Sequence, residues 1–126
     1  MSLLTTIAFS ITTALPALEV PSGQPVELYE VLIDEVGADT WLRFRFLAPE
    51  IARKGGSVDF AQAEPDLEHL CQAVALPYLA EYDLAPEFVS VTLLDRPVEF
   101  GRSDPDATQF IDVFRIASGT CIWEGL

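Results

Sequence analysis

Along the chain, apolar positions recur with two periods, and together these lay out the fold. Over Thr40–Pro49 the run Trp-Leu-Arg-Phe-Arg-Phe-Leu sets Leu42, Phe44 and Phe46 in alternation with Trp41, Arg43 and Arg45. A period of two places the first set on the core side of a pleated strand and the second on its opposite face. Gly37-Ala38-Asp39 and Pro49 bound this strand, and Val26–Val36 ahead of it reads as its hairpin partner. Glu87–Leu94 alternates Val89, Val91 and Leu93 with Ser90 and Thr92. Thr108–Ile116 turns Phe110, Phe114 and Ile116 inward, and Ala117-Ser118-Gly119 leads into a last short strand, Thr120–Glu124.

The second period is helical. Leu67, Leu70, Cys71, Val74, Tyr78 and Leu79 recur at three- and four-residue spacing, which predicts a helix over Pro65–Tyr82 with one stripe for covering a sheet. Pro65 suits a first helical position with Glu64 as its cap, and Glu64, Asp66 and Glu68 suit the positive end of the helix dipole. Pro77 has no N–H for the Ala73 carbonyl, so a kink or restart is expected there. Ala48–Asp59 and Asp95–Ala107, both rich in Pro and Gly, read as loops. The element order β-β-α-β-β-β predicts an α+β fold: an antiparallel sheet of four to five strands with one helix packed on one face.

Composition narrows the function more than the fold. The 126 residues suit one domain, and 50% hydrophobic content is enough for a core. Twenty acidic against seven basic side chains give a net charge of −13, which repels phosphate backbones and anionic lipid, so no nucleic-acid partner is expected. One His and two Cys cannot assemble a multi-His or multi-Cys metal site within one chain. Leu3–Ala14 carries no charge and leads to small residues at Ala14 and Ala17, the pattern of a secretory signal cleaved after Ala17, although no Lys or Arg precedes it. On that reading residues 1–17 are removed and 18–126 form a single periplasmic or secreted domain. No Cys follows the segment to carry a lipid, so no stable membrane anchor is expected after cleavage. The alternative is a Thr-rich first strand, Thr5–Thr13, of a cytoplasmic protein. In an oxidising compartment Cys71, on the helix stripe, and Cys121, in the last strand, read as a structural disulfide closing roughly fifty residues, worth about 4 kcal/mol. Two buried free thiols are the cytoplasmic alternative.

Several segments taken together resemble an uncharacterised family of short exported bacterial proteins. They are Val20-Pro-Ser-Gly-Gln-Pro-Val26, Trp41-Leu-Arg-Phe-Arg-Phe46, Leu70-Cys71, Asp95-Arg-Pro-Val-Glu-Phe-Gly101, Asp104-Pro-Asp-Ala-Thr-Gln-Phe110 and Cys121-Ile-Trp-Glu-Gly125. The resemblance spans Val20 to Leu126 and implies export. It brings no catalytic residue with it. The chain is far too short for a catalytic subunit of the acetolactate synthase type and has no thiamine-diphosphate motif.

Motif chemistry is otherwise thin. Nucleophile elbows, glycine-rich phosphate loops and zinc spacings are missing from the sequence, and Asp104-Pro105-Asp106 fits a turn better than a calcium loop. Two regions stand out. Trp41, Arg43 and Arg45, joined by Arg115, offer the planar cations and large aromatic enriched at protein interfaces, with cross-strand pairing to Glu27 or Glu30 as the plainer reading. The loop Asp95–Gln109 carries Arg96, Arg102, Asp104 and Gln109, suited either to holding itself in order or to binding an anionic group. The leading expectation is a non-catalytic periplasmic binding or accessory protein that meets a protein of the cell envelope, with no catalytic residue, metal or cofactor. A small enzyme or small-ligand-binding domain built on Arg96, Arg102, Asp104 and His69 is the alternative.

Overall fold

Five strands make one sheet whose spatial order follows the chain: β1 (Glu27–Val36), β2 (Asp39–Leu47), β3 (Phe88–Leu94), β4 (Gln109–Ala117) and β5 (Thr120–Gly125). The computed structural model describes residues 18–125, so the stretch expected to act as an export signal, and the cleavage expected after Ala17, lie outside the described residues. The expected α+β class and the β-β-α-β-β-β order are both present. One pairing differs from the expected antiparallel sheet. β2 and β3 run parallel, with Leu42 beside Val89, Phe44 beside Val91 and Phe46 beside Leu93, so the sheet is mixed. The cause is the connection. A helix laid across one face returns the chain to the end of the sheet where β2 began, and the next strand then runs the same way.

The helical segment starts earlier than Pro65. Asp59 caps α1 (Phe60–Leu70) in a reciprocal box: its Oδ1 accepts the Gln62 N–H at 2.9 Å, while Gln62 Oε1 accepts the Asp59 N–H at 2.9 Å. With two orphan N–H groups satisfied there, Asp59 takes the capping place assigned to Glu64, and Pro65 falls inside the helix. Near Pro77 the backbone widens into a π-turn over Cys71–Ala75, where the Leu76 N–H reaches back to the Cys71 carbonyl, before α2 (Leu76–Glu81) resumes. A five-residue step absorbs the donor that Pro77 lacks, which is the restart expected from the sequence.

The stripe and the strand meet as their periods require. Leu42, Phe44 and Phe46 pack with Leu67, Leu70, Ala75 and Leu79, all buried, and Tyr78 meets the Phe44 ring edge-on at 5.2 Å. Cys71 and Cys121 are joined in a disulfide with Cα atoms 6.3 Å apart, pinning the helix to the edge strand β5. A second tie lies within α1, five residues before Cys71. The fully buried Asp66 carboxylate accepts the Ser22 N–H at 2.8 Å, the Ser22 hydroxyl at 2.5 Å and the Gln24 amide at 2.8 Å, holding the Pro21–Pro25 segment onto α1. Charge-assisted bonds of this kind offset the cost of burying the carboxylate.

Two outcomes follow for stability. Truncating the fully buried Phe44 to Ala is expected to cost about 3–5 kcal/mol, a large share of a domain's stability, and chemical denaturation will read it. Reducing the disulfide, whose cysteines lie 50 residues apart, is expected to lower stability by about 4 kcal/mol in the same assay. An unchanged midpoint in either experiment contradicts the packing described.

Candidate functional site

The face of the sheet away from the helix is organised by β2. Its alternate side chains pair outward with β1: Arg43 Nε donates to Asp34 Oδ2 at 2.9 Å, and Arg45 donates to Glu30 Oε2 at 2.6 Å. A bulge in β1 between Leu28 and Glu30 makes the second pair possible. The extra residue there lets Leu28 stay opposite Phe46 on the core side while Glu30 faces Arg45. Trp41 is half-buried, with its ring 4.9 Å from that of Phe88 and the Arg43 guanidinium 5.0 Å from it.

The loop between β3 and β4 folds back over this face. Its neck is closed by Asp95, whose Oδ1 accepts the Thr108 N–H at 2.7 Å and whose Oδ2 accepts from Arg96 Nε at 3.1 Å and a terminal Arg96 nitrogen at 2.9 Å. Further along, Asp104 Oδ1 accepts the Asp106 N–H at 2.9 Å, forming the turn read from Asp-Pro-Asp. Gly101, at φ +84°, turns the chain where a side chain would be strained. Arg45 then fixes the loop to the sheet. A terminal nitrogen donates to the Val98 carbonyl at 2.8 Å, and Phe100 lies across both arginines at 5.4 Å from Arg43 and 5.5 Å from Arg45. Arg45 is only 4% exposed, so it is a buried, bonded cation rather than part of a solvated face.

Between sheet and loop lies a cleft of about 230 Å³ lined by Arg43, Arg45, Ser90, Thr92, Arg102 and Gln109, with Phe100 and Ile111 as its apolar walls. Two regions that the sequence kept apart, the β2 arginines and the Asp95–Gln109 loop, therefore share one site. Other candidates stand elsewhere. Arg96 lines a separate hollow with Arg53, Lys54 and Asp106. Arg115 shares a register row with Trp41 through Phe88, is exposed, and pairs with Glu124 at 2.7 Å outside the cleft. His69, half-buried, sits near the end of α1 on the helix side of the sheet, so Arg96, Arg102, Asp104 and His69 do not converge. Arg96 pairs with Asp95 at the loop neck and Arg102 makes an exposed pair with Glu99; neither pairs with Asp104 or Asp106. Among the described residues no three His, Cys, Asp or Glu side chains form a metal-binding group, and no helix is long and apolar enough to cross a membrane.

The chain belongs to a family of unknown function, DUF6497. The family match runs over residues 4–126, which includes every residue of the cleft. No curated protein and no solved structure matches this family member. Sequence reasoning passed over four side chains of its cleft as site groups: Ser90, Thr92, Phe100 and Ile111. The signal for the first two was present in the alternation of β3, where polar side chains share the face of Arg43 and Arg45. Nothing in the local pattern around Phe100 announces that it folds onto that face.

Electrostatics tie the loop neck to pH. Burial pushes the Asp95 carboxyl up, but hydrogen bonds from Arg96 and the Thr108 N–H, with the charge of Arg96, outweigh it and hold the carboxyl below its ordinary range. A depressed carboxyl stabilises the fold at pH above its unfolded value of about 3.9, and that contribution disappears as pH falls through the lower folded value. Asp95→Asn is therefore expected to melt below the wild type at neutral pH, with the gap closing as the pH drops below about 4. A gap that stays constant on acidification contradicts the ionised neck.

Proposed function

We propose that this chain is a non-catalytic binding or accessory protein of the bacterial periplasm, and that the cleft beneath the Asp95–Gln109 loop is its binding centre, where it captures an acidic group carried by a partner in the cell envelope. The observation that carries the reading is the convergence on one cleft of three of the chain's seven basic side chains, Arg43, Arg45 and Arg102, in a molecule of net charge −13. Cations gathered at one place on an acidic protein favour an anionic group there and leave the remaining surface repulsive to others. Compartment is supported by the Cys71–Cys121 disulfide, which persists in oxidising surroundings, and by the charge-free stretch Leu3–Ala14 that suits an export signal.

The test is affinity capture from native envelope extracts with the wild type beside a double variant, Arg102→Ser with Gln109→Ala. Both side chains are exposed, so the fold is expected to survive. Recovery of the wild-type partner is expected to fall by about tenfold or more with the double variant, as for removal of central anchoring groups. Equal recovery by both proteins, or a full-length intact mass for protein isolated from the cytoplasm of the native cell, overturns the reading.

A further inference from the structure

At the floor of the cleft Ser90 is 1% exposed, and its hydroxyl has no hydrogen-bond partner. A buried hydroxyl without a partner costs stability, so an orphan at the base of a cationic cleft marks a position where a bound group supplies the missing acceptor. Ser90 lies beside Arg43 on β2, and Thr92, next along the same face, lies beside Arg45. We propose that the cleft binds one carboxylate of a short, otherwise apolar molecule or chain end, with Ser90 Oγ donating to it and Arg102 as its counter-ion. This rests on the reading of the cleft as the binding centre and names the chemistry it selects.

Charge balance points to a monocarboxylate. Arg43 pairs with Asp34, Arg45 with Glu30 and Arg102 with Glu99, so each cation of the cleft already faces one carboxylate. The first two pairs are partly or largely buried and stay closed. The third is open to water, with side chains 75% and 74% exposed, and such pairs separate at little cost. Opening it frees a single positive charge over the cleft, which one carboxylate matches and a phosphate dianion exceeds. The planar guanidiniums suit a planar carboxylate, and each carries more N–H donors than its present partner accepts. Phe100 and Ile111 give the rest of the ligand an apolar wall, and about 230 Å³ limits it to a few carbons. Ser90 is buried, so a ligand meets it only as the cleft opens; Phe100, which lines the same cleft, is 46% exposed on its loop.

Isotope-labelled protein titrated with butyrate at neutral pH, and followed through the Gln109 side-chain amide and the β3 backbone amides, tests the proposal. Saturable shifts confined to the cleft are expected, with a midpoint in about the millimolar range for so small a ligand. Butyramide and inorganic phosphate are expected to bind about tenfold more weakly or worse. Ser90→Ala separates binding from folding: it removes an unsatisfied buried hydroxyl, so its melting temperature is expected to hold or rise while butyrate binding weakens by about tenfold. An acetylated dipeptide tested with a free and with an amidated C-terminus identifies the source. Binding of the free acid alone assigns the site to a polypeptide C-terminus, whereas binding of butyrate without it assigns the site to a free small acid. Phosphate equalling butyrate, or Ser90→Ala binding butyrate like the wild type, overturns the inference. If no carboxylate shifts the cleft while envelope capture still depends on Arg102 and Gln109, the carboxylate is wrong and the binding centre stands.

Discussion

A guanidinium buried beneath a loop must have its charge and its donors satisfied, and Arg45 imposes that constraint on the open face of the sheet. Its partners are Glu30 on the edge strand, the Val98 carbonyl from the long loop, and the rings of Tyr29 and Phe100 at 5.7 and 5.5 Å. Each partner would gain little alone in water. Around a cation that is 4% exposed they become mandatory, because an unpaired charge there costs several kcal/mol. The bulge in β1, the direction of the loop and the cleft under Phe100 are all consequences of satisfying this one side chain.

The two faces of β2 therefore answer to different physics. On the helix side Leu42, Phe44 and Phe46 are held by packing, where shape and volume decide, and the disulfide fixes the helix over them. On the loop side specific bonds decide, and they are directional. Packing tolerates some rearrangement, whereas a bonded cation accepts few alternatives. The binding centre proposed for the cleft calls for the second kind of order, which the partly covered bonded face supplies. The Ser90 hydroxyl lies on the same face, buried and without a hydrogen-bond partner.

Strand parity, the helix stripe and the cysteine pair were legible in the sequence because each depends on a local period or on the pairing of two scarce residues. The parallel junction of β2 with β3 was not, since it depends on where the helix travels and no local pattern records that. The helix start was misplaced for a different reason. Pro65 is a strong local signal for a first turn, but the Asp59–Gln62 box, formed by two unremarkable polar residues, outweighs it. Half the cleft was visible as Arg43, Arg45, Arg102 and Gln109 in two separate segments. Their meeting was hidden because the bonds that fold the loop over, from Arg45 to Val98 and within the Asp95 neck, link residues far apart in the chain. Asp66 shows the same limit. In sequence it is one more acid near a helix start, and only the return of Ser22 and Gln24 makes it a buried clasp.

Hydrogen exchange on the wild type and on Arg45→Met tests most directly whether this side chain governs the loop. Methionine keeps much of the aliphatic stem but bonds neither Glu30 nor the Val98 carbonyl. The account predicts that the Asp95, Arg102 and Ala107 amides, bonded to loop carbonyls in the wild type, lose their protection while the β3 amides between Phe88 and Leu94 keep theirs. Loop protection that survives the substitution unchanged would contradict it.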